Sequence, residues 1–352
     1  MRVRTSRTLV FTPDEEVLVG CNFLTRNVFG CDSATLDRLT GAKDWADFNT
    51  VVDRSFGGDK SLVEELIQHD AVVVAGSALE KRERQYLRDW RWTVPAGLMH
   101  FTLEDVDYMS LEEGEELQQQ HLAHERQPSL FRRNRNRLPV SPLPSSLDRS
   151  DLLQLMARRR TVRATAKPSI SVEQLADCLF AGMGITGYTQ NRVGRLPLGM
   201  TPSGGARNPF EAYVLCRNVE GLAAGIYHYS AVDHDLGRLK GEEVPAFSSL
   251  LGGQDWCDEM PCLILLVADL RRTMWKYQDA NAYRVVLIEA GHIGQNIMLA
   301  ATEHGLSACP TAALCHSRIR ETLGLRRVTD APTYALTLAV PGIEAATTFT
   351  AG

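Results

Sequence analysis

The eight cysteines of this 352-residue chain include no CxxC pair, so the spacing that builds zinc knuckles and thioredoxin-like redox motifs is missing. Disulfides are not expected in a reducing cytosol, and the tightest grouping, Cys309, Cys315 and His316, reads as core and loop residues, not metal ligands. Long apolar runs are also lacking. The amino terminus offers only Leu9 to Phe11 before Pro13, too short for a signal peptide. The strongly apolar run Cys262 to Ala268 is about a third of the ~20 residues a membrane-spanning helix requires. Positive charge is not in excess either: the net charge is −5, which leaves no global basic field to hold nucleic acid or an anionic membrane. These absences predict a cytoplasmic protein with no nucleic-acid or membrane partner and no metal.

What is present suits a soluble chain of about two domains, with 44% hydrophobic and 23% charged residues. Residues 1–80 alternate short β-like runs (Leu9 to Phe11, Val17 to Val19, Ala71 to Val74) with helical stretches at Ser33 to Leu39 and Ser61 to His69. That order predicts a small winged-helix-like module. Ser61 and Glu64 form a capping-box pattern ahead of Leu62, Leu66 and Ile67. Residues 81–150, rich in charge and glutamine and ending in PVSPLPSSLDRSD, read as a helical connector and linker. The arginines at 132, 133, 135 and 137 read as a solvated charged segment.

From Asp151 long helical patterns alternate with apolar strands. Ser171 and Gln174 cap a helix that stops near Gly182 and Gly184. Phe210 to Arg217, Cys262 to Ala268 and Tyr334 to Val340 read as strands, and Val285 to His304 as a helix ended by Gly305. The expected fold class is α+β, with residues 151–352 built on one central sheet.

Three segments carry chemistry. Arg158 to Arg163 places several guanidinium groups and the Thr161 hydroxyl within six residues, a set that matches phosphate oxygens. Pro202-Ser203-Gly204-Gly205-Ala206-Arg207 can bring backbone close to a ligand, because paired glycines remove the Cβ obstacle. Cys309-Pro310-Thr311-Ala312, after the long helix, can turn main-chain groups toward the edge of a planar cofactor.

In this order and separation the three segments resemble the nitroreductase fold family. The resemblance implies an FMN-binding domain in which Arg159, Arg160, Thr161 and Arg163 hold the phosphate. Pro202, Ser203, Gly204, Gly205, Ala206 and Arg207 would then contact the flavin, usually across a homodimer interface. Thr161 stands where serine is commoner, Ala206 stands where many reductases have asparagine, and no basic residue follows Pro341-Gly342. Finer motifs resemble the SagB-type, or McbC-like, dehydrogenases: PSGGARNP at 202–209, GIYHY at 225–229, Lys276-Tyr277, and EAGHIGQN at 289–296.

That branch implies FMN-dependent oxidation of thiazoline or oxazoline rings in a peptide, with a cyclodehydratase as partner and Lys276 and Tyr277 as catalytic residues. Oxidation to the azole removes one proton and one hydride from adjacent ring carbons; flavin takes the hydride and the protein must provide a base. Neighbours on a regular helix point about 100° apart, so both residues can serve one site only at an irregular turn or a helix end. Gln295 is a further cofactor-binding candidate, with His292 and Asn296 on the same helix face. Two other readings remain open: a nicotinamide-dependent reductase of a small electrophile, and a non-catalytic peptide-binding scaffold. The lack of a GxGxxG motif does not separate them, since this fold needs no Rossmann site.

Overall fold

A computed structural model describes residues 1–342 apart from 15–16, 126, 128–129, 131–149 and 242. Arginines 132, 133, 135 and 137, the proline-rich stretch up to 149 and the tail after Gly342 lie outside the described residues.

The amino-terminal region begins with strands β1 (Arg2–Thr5), β2 (Leu9–Asp14), β3 (Val17–Asn22) and β4 (Asn27–Cys31). Helix α1 (Ser33–Gly41), the short β5 (Ala46–Asp47), α2 (Phe48–Ser55), α3 (Lys60–Gln68) and β6 (Val72–Val74) follow. β1 lies between β5 and β6 in one antiparallel sheet, and β2, β3 and β4 form a separate meander. Val3, Phe29, Leu39, Val52, Phe56 and Leu66 fill its core. The cap of α3 differs from the expected Ser61: Asp59 accepts the Leu62 amide at 3.0 Å, and Ser61 lies inside the helix. A carboxylate two residues earlier meets the free amides at the helix start first.

Residues 81–103 do more than connect. Helices α4 (Ala78–Asp89) and α5 (Val94–Thr102) bury Tyr86, Trp90, Trp92 and Phe101 in the main core of the carboxy-terminal half. Their charges are partly internal, which is what the composition hid. Glu83 is fully buried, takes an ion pair from Arg4 and accepts Ser6 Oγ at 3.0 Å. It fastens α4 to the first strand. Helix α6 (Leu111–His124) closes this half with a Ser110/Glu113 capping box.

The carboxy-terminal half opens with α7 (Asp151–Arg158), β7 (Thr165–Lys167), β8 (Ile170–Ser171) and α8 (Val172–Met183). The Ser171/Gln174 capping box forms at the start of α8. A hairpin, β9 (Ile185–Asn191) with β10 (Gly194–Gly199), precedes β11 (Phe210–Cys216), β12 (Val219–Glu220), β13 (Gly225–Ser230) and β14 (Asp235–Arg238). Then come β15 (Cys262–Asp269), α9 (Leu270–Lys276), α10 (Asn281–Glu303), β16 (Ser307–Thr311), α11 (His316–Thr322) and β17 (Asp330–Pro341).

One sheet runs β14-β13-β11-β15-β17-β16, with β7 also on β17. All eight residues of β15 are buried, as a strand covered on both faces requires. Its alternation sorts two cores: Cys262, Ile264, Leu266 and Ala268 face one layer, and Leu263, Leu265 and Val267 the other. Val286, Ala290, Ile293, Ile297 and Ala301 recur every three or four residues along α10 and share the first layer with Leu175 and Leu179 of α8. By length and composition α10 is apolar enough to cross a membrane; this buried stripe accounts for that apolarity.

Two outcomes follow. Replacing Glu83 by alanine leaves Arg4 buried without its partner and should cost about 3–5 kcal/mol in urea unfolding; a loss under 1 kcal/mol would refute the fastening role. His100, stacked on Trp90 at 5.3 Å and bonded to Tyr283 Oη at 3.0 Å, is lowered to about 4, chiefly by burial. Because the folded chain resists this proton, its contribution is fully present above the ordinary histidine value of about 6.5 and is lost as pH falls toward about 4. His100→Asn should therefore lose less stability than the wild type across that window, as measured by thermal unfolding at stepped pH.

Candidate active site

Loop 201–208 bridges the β9–β10 hairpin and β11. Gly205, Ala206 and Asn208 have φ of 65°, 54° and 43°, so their amides turn in the manner of an anion-holding nest. Asn208 donates its amide to Ser203 Oγ at 2.8 Å, while the Gly204 amide reaches Glu289 Oε2 of α10 at 3.1 Å. Burial raises the Glu289 carboxyl above its ordinary value, although bonds from Ser203 and Gly204 oppose the shift. Asn296, two turns on, donates to Thr201 Oγ1 at 2.8 Å. The helix thus holds the first half of the loop at two points, Thr201 and Gly204.

Lys276 and Tyr277 meet at Gly205. Lys276 is the last residue of α9, and Tyr277 leaves it in an extended conformation with φ −118° and ψ 111°. The helix end separates the two side chains and lets both turn to one place. A Cβ added at Gly205 would lie 2.4 Å from Lys276 Nζ and 2.5 Å from Tyr277 Oη. Lys276 Nζ also approaches the Gly205 carbonyl at 3.4 Å. Arg207 donates Nε to the same carbonyl at 3.1 Å and lies over the Trp275 ring at 5.2 Å. Trp92 holds the Tyr277 carbonyl at 2.8 Å through its indole N–H.

The other segments gather elsewhere. Residues 159–163 run beside β16: the Val162 amide donates to Ser307 Oγ at 3.0 Å, and Cys309 Sγ donates to the Val162 carbonyl at 2.8 Å. Arg159 caps α7, Arg160 reaches the Ala157 carbonyl at 2.7 Å, and Arg163 lies 5.7 Å from the Trp256 ring. Thr161 is half-buried, with Arg160 and Arg163 more exposed. Thr311 Oγ1 accepts from Gln254 Nε2 and from the Ala313 amide, each at 3.1 Å, which fixes the turn through Pro310 and Ala312. Burial pushes the Cys309 thiol up, which keeps it protonated and unreactive.

This cluster sits by the carboxy-terminal end of α10, where Arg158 pairs with Glu303 at 3.3 Å. Glu289, which fixes the loop, is fourteen residues earlier, about 21 Å along the helix axis. Each chain therefore presents two half-sites: 159–163 with 307–312, and 202–207 with 276–277. Gln295 lies half-buried on α10 between these ends, and His292 is exposed. The residues fit a planar cofactor bearing a phosphate, with guanidinium groups at one half-site and a nest at the other. Asn208, within the nest, keeps a buried Nδ2 without a partner.

Three residues near the loop escaped the sequence reading. Glu211 accepts His228 Nε2 at 2.6 Å and pairs with Arg272, whose guanidinium also bonds the Asn208 carbonyl at 2.8 Å. The pairing of β11 with β13, which sets Tyr213 opposite His228, brings Glu211 and His228 together, and the pairing of β11 with β15 brings α9 and Arg272 to them.

Comparison with known proteins places this architecture. The model of the nitroreductase family matches residues 156–341, more than half of the chain. The chain belongs to the nitroreductase family. Among its relatives, a protein of Methanocaldococcus jannaschii named as a nitroreductase is 31% identical over 50% of this chain and 85% of its own length. The trifolitoxin-processing protein TfxB of Rhizobium leguminosarum bv. trifolii is 27% identical over 64% of this chain, and the microcin B17-processing protein McbC of Escherichia coli 32% over 37%. This nitroreductase-family chain spans 65% of TfxB and 50% of McbC. Within the family it is of the McbC-like, SagB-type branch. A solved Escherichia coli microcin synthetase McbBCD complex with truncated pro-MccB17 matches 69% of this chain and 85% of its own, at 22% identity and a TM-score of 0.48.

The loop geometry yields opposite signs at adjacent positions. Gly205→Ala should destabilise by about 1–2 kcal/mol, since a Cβ disfavours the left-handed region and presses on Lys276 and Tyr277. Ala206→Gly should be neutral or stabilising by up to about 1 kcal/mol. Urea unfolding reads both, and equal losses at the two sites would contradict the left-handed loop.

Proposed function

We propose that this chain is a cytoplasmic, FMN-dependent dehydrogenase that oxidises thiazoline or oxazoline rings to thiazoles or oxazoles in a peptide precursor. The observation that carries the reading is the convergence of Lys276 and Tyr277 on Gly205, at a point where the loop backbone is left-handed. Bound FMN supplies a two-electron acceptor that takes up hydride. The chain's own residues do the rest. Arg159, Arg160, Thr161 and Arg163 clasp the phosphate, with the main chain of Cys309 to Ala312 and the side chain of Gln295 nearby. Pro202 to Arg207 cradle the ring edge. Lys276 Nζ or Tyr277 Oη removes the proton from the azoline carbon next to the one that loses hydride, so that the ring gives up two electrons and two hydrogens in all.

Two half-sites on one chain favour a homodimer in which the arginines of one copy approach the glycine loop of the other. The names of TfxB and McbC, both processing proteins for peptide products, support a peptide substrate and, with it, a cyclodehydratase that forms the ring beforehand. In this reading residues 1–80 act as a winged-helix-like module that holds a leader segment as an added strand on a sheet edge, and residues 81–150 link it to the FMN domain at 151–352.

Lys276→Ala and Tyr277→Phe should keep the yellow colour of bound flavin and lose ring oxidation by roughly 10²- to 10⁴-fold. Mass spectrometry of an azoline peptide reads the result as loss of two mass units per ring. Undiminished oxidation by both variants, or anaerobic bleaching of the flavin by NAD(P)H without any azoline turnover, would defeat the proposal in favour of a nicotinamide-dependent reductase.

A further inference from the structure

Behind the glycine loop lies a cavity of about 570 Å³, within the range of ligand sites. The β9–β10 hairpin forms its roof, the loop and the ends of β11 and β13 its floor, and α9 contributes Arg272. None of residues 159–163 line it, so it is separate from the phosphate half-site. Its lining instead includes the sequence neighbours of the corner formed by Gly205, Lys276 and Tyr277. Ala206 to Asn208 form its wall directly after Gly205, and Arg272 stands one helical turn before Lys276, on the same side of α9.

The walls are apolar with an uneven charge. Ile185, Leu196, Leu198, Phe210, Val232 and Ile293 supply apolar surface, and Leu198 and Val232 are exposed at 45% and 73%. Two carboxylates face the cavity, and both are engaged: Glu211 by Arg272 and His228, Glu289 by the Gly204 amide. Three arginines face it, and only Arg272 has a carboxylate. Among the described residues Arg207 and Arg195 have none: Arg207 lies over Trp275, and Arg195 over Tyr188 at 3.6 Å. An apolar trough with surplus guanidinium groups complements an extended apolar segment carrying an anion.

We propose that this cavity is the subsite for the peptide segment flanking the reacting ring, and that it selects an extended apolar stretch bearing a carboxylate, held by Arg195 and Arg207. The assignment rests on the azoline dehydrogenase reading for the identity of the reacting ring, and it adds which neighbouring sequence is accepted. The hairpin lies over that segment as a cover, with Arg195 kept near the mouth by its stacking on Tyr188.

The test uses the FMN-loaded full chain and three fluorescein-labelled apolar hexapeptides that differ at one central position, Asp, Asn or Lys, with binding followed by fluorescence anisotropy. Wild type should prefer Asp to Asn by roughly fivefold, in a salt-sensitive manner. Arg195→Gln, which keeps a long side chain for the hairpin, should remove most of that preference, and Arg195→Glu should shift it toward the Lys peptide. The same Asp-to-Asn ratio in all three proteins overturns the subsite, as does binding of none of the peptides by folded, yellow wild type. Azoline turnover is scored separately: an intact charge preference without ring oxidation removes the dehydrogenase reading and leaves the peptide site standing.

Discussion

The carboxyl of Glu289 is the contact on which the candidate site turns. A buried acid on the sheet-covering helix accepts the Gly204 amide, and the next residue enters the left-handed region. That anchor adds to the local bonds from Asn208 and Ala206 to Ser203 in holding three positive φ values within four residues, a conformation that costs about 1 kcal/mol or more wherever a Cβ is present. Burial raises this carboxyl, and the bonds from Ser203 and Gly204 oppose the shift. A hydrogen-bonded acid can sit beside apolar Ile293 and Val286 where one without partners could not. The loop is thus set by the core, and the core by the stripe of small and branched residues along α10.

The same helix works as a ruler. Its middle carries the glycine loop through Glu289 and Asn296, and its last turn carries the arginine segment through Glu303 and the following strand. A rigid helix keeps these contact points at fixed distances from each other. The side of α10 turned away from the core is exposed. Arg284, Ile288, Gly291 and His292 are the exposed residues on that side. A glycine and a half-buried Gln295 there permit close approach of another surface.

Much of the carboxy-terminal half was legible because its signals are local. Periodicity marked α8 and α10, the Ser171/Gln174 pair marked a helix start, and an unbroken apolar run marked the central strand. The Lys276-Tyr277 pair was readable as a motif, and helix geometry alone required a helix end between them, which is where α9 stops. What stayed hidden depends on pairing distant in sequence. Glu211 and His228 are meaningless until β11 and β13 are neighbours, and Arg272 joins them only because β15 delivers α9 to the same end of the sheet. Asp59 displaced Ser61 as a cap because both residues offer an oxygen, and only the backbone path decides which one meets the free amides.

Residues 81–103 show a further way in which composition misleads. Their charges suggested a solvated connector, yet Trp90, Trp92 and Phe101 form one aromatic cluster with Tyr86 and Phe23, and Tyr283 of α10 packs against it. From that cluster Trp92 reaches the Tyr277 carbonyl, the first peptide group beyond the helix that ends at Lys276. A bond at this carbonyl fixes the extended turn that aims the two side chains at one point, since a further helical residue would swing Tyr277 by about 100° away. The amino-terminal half is therefore a structural part of the corner at Lys276 and Tyr277, and a carboxy-terminal domain cut away from it would lose the group that holds that turn.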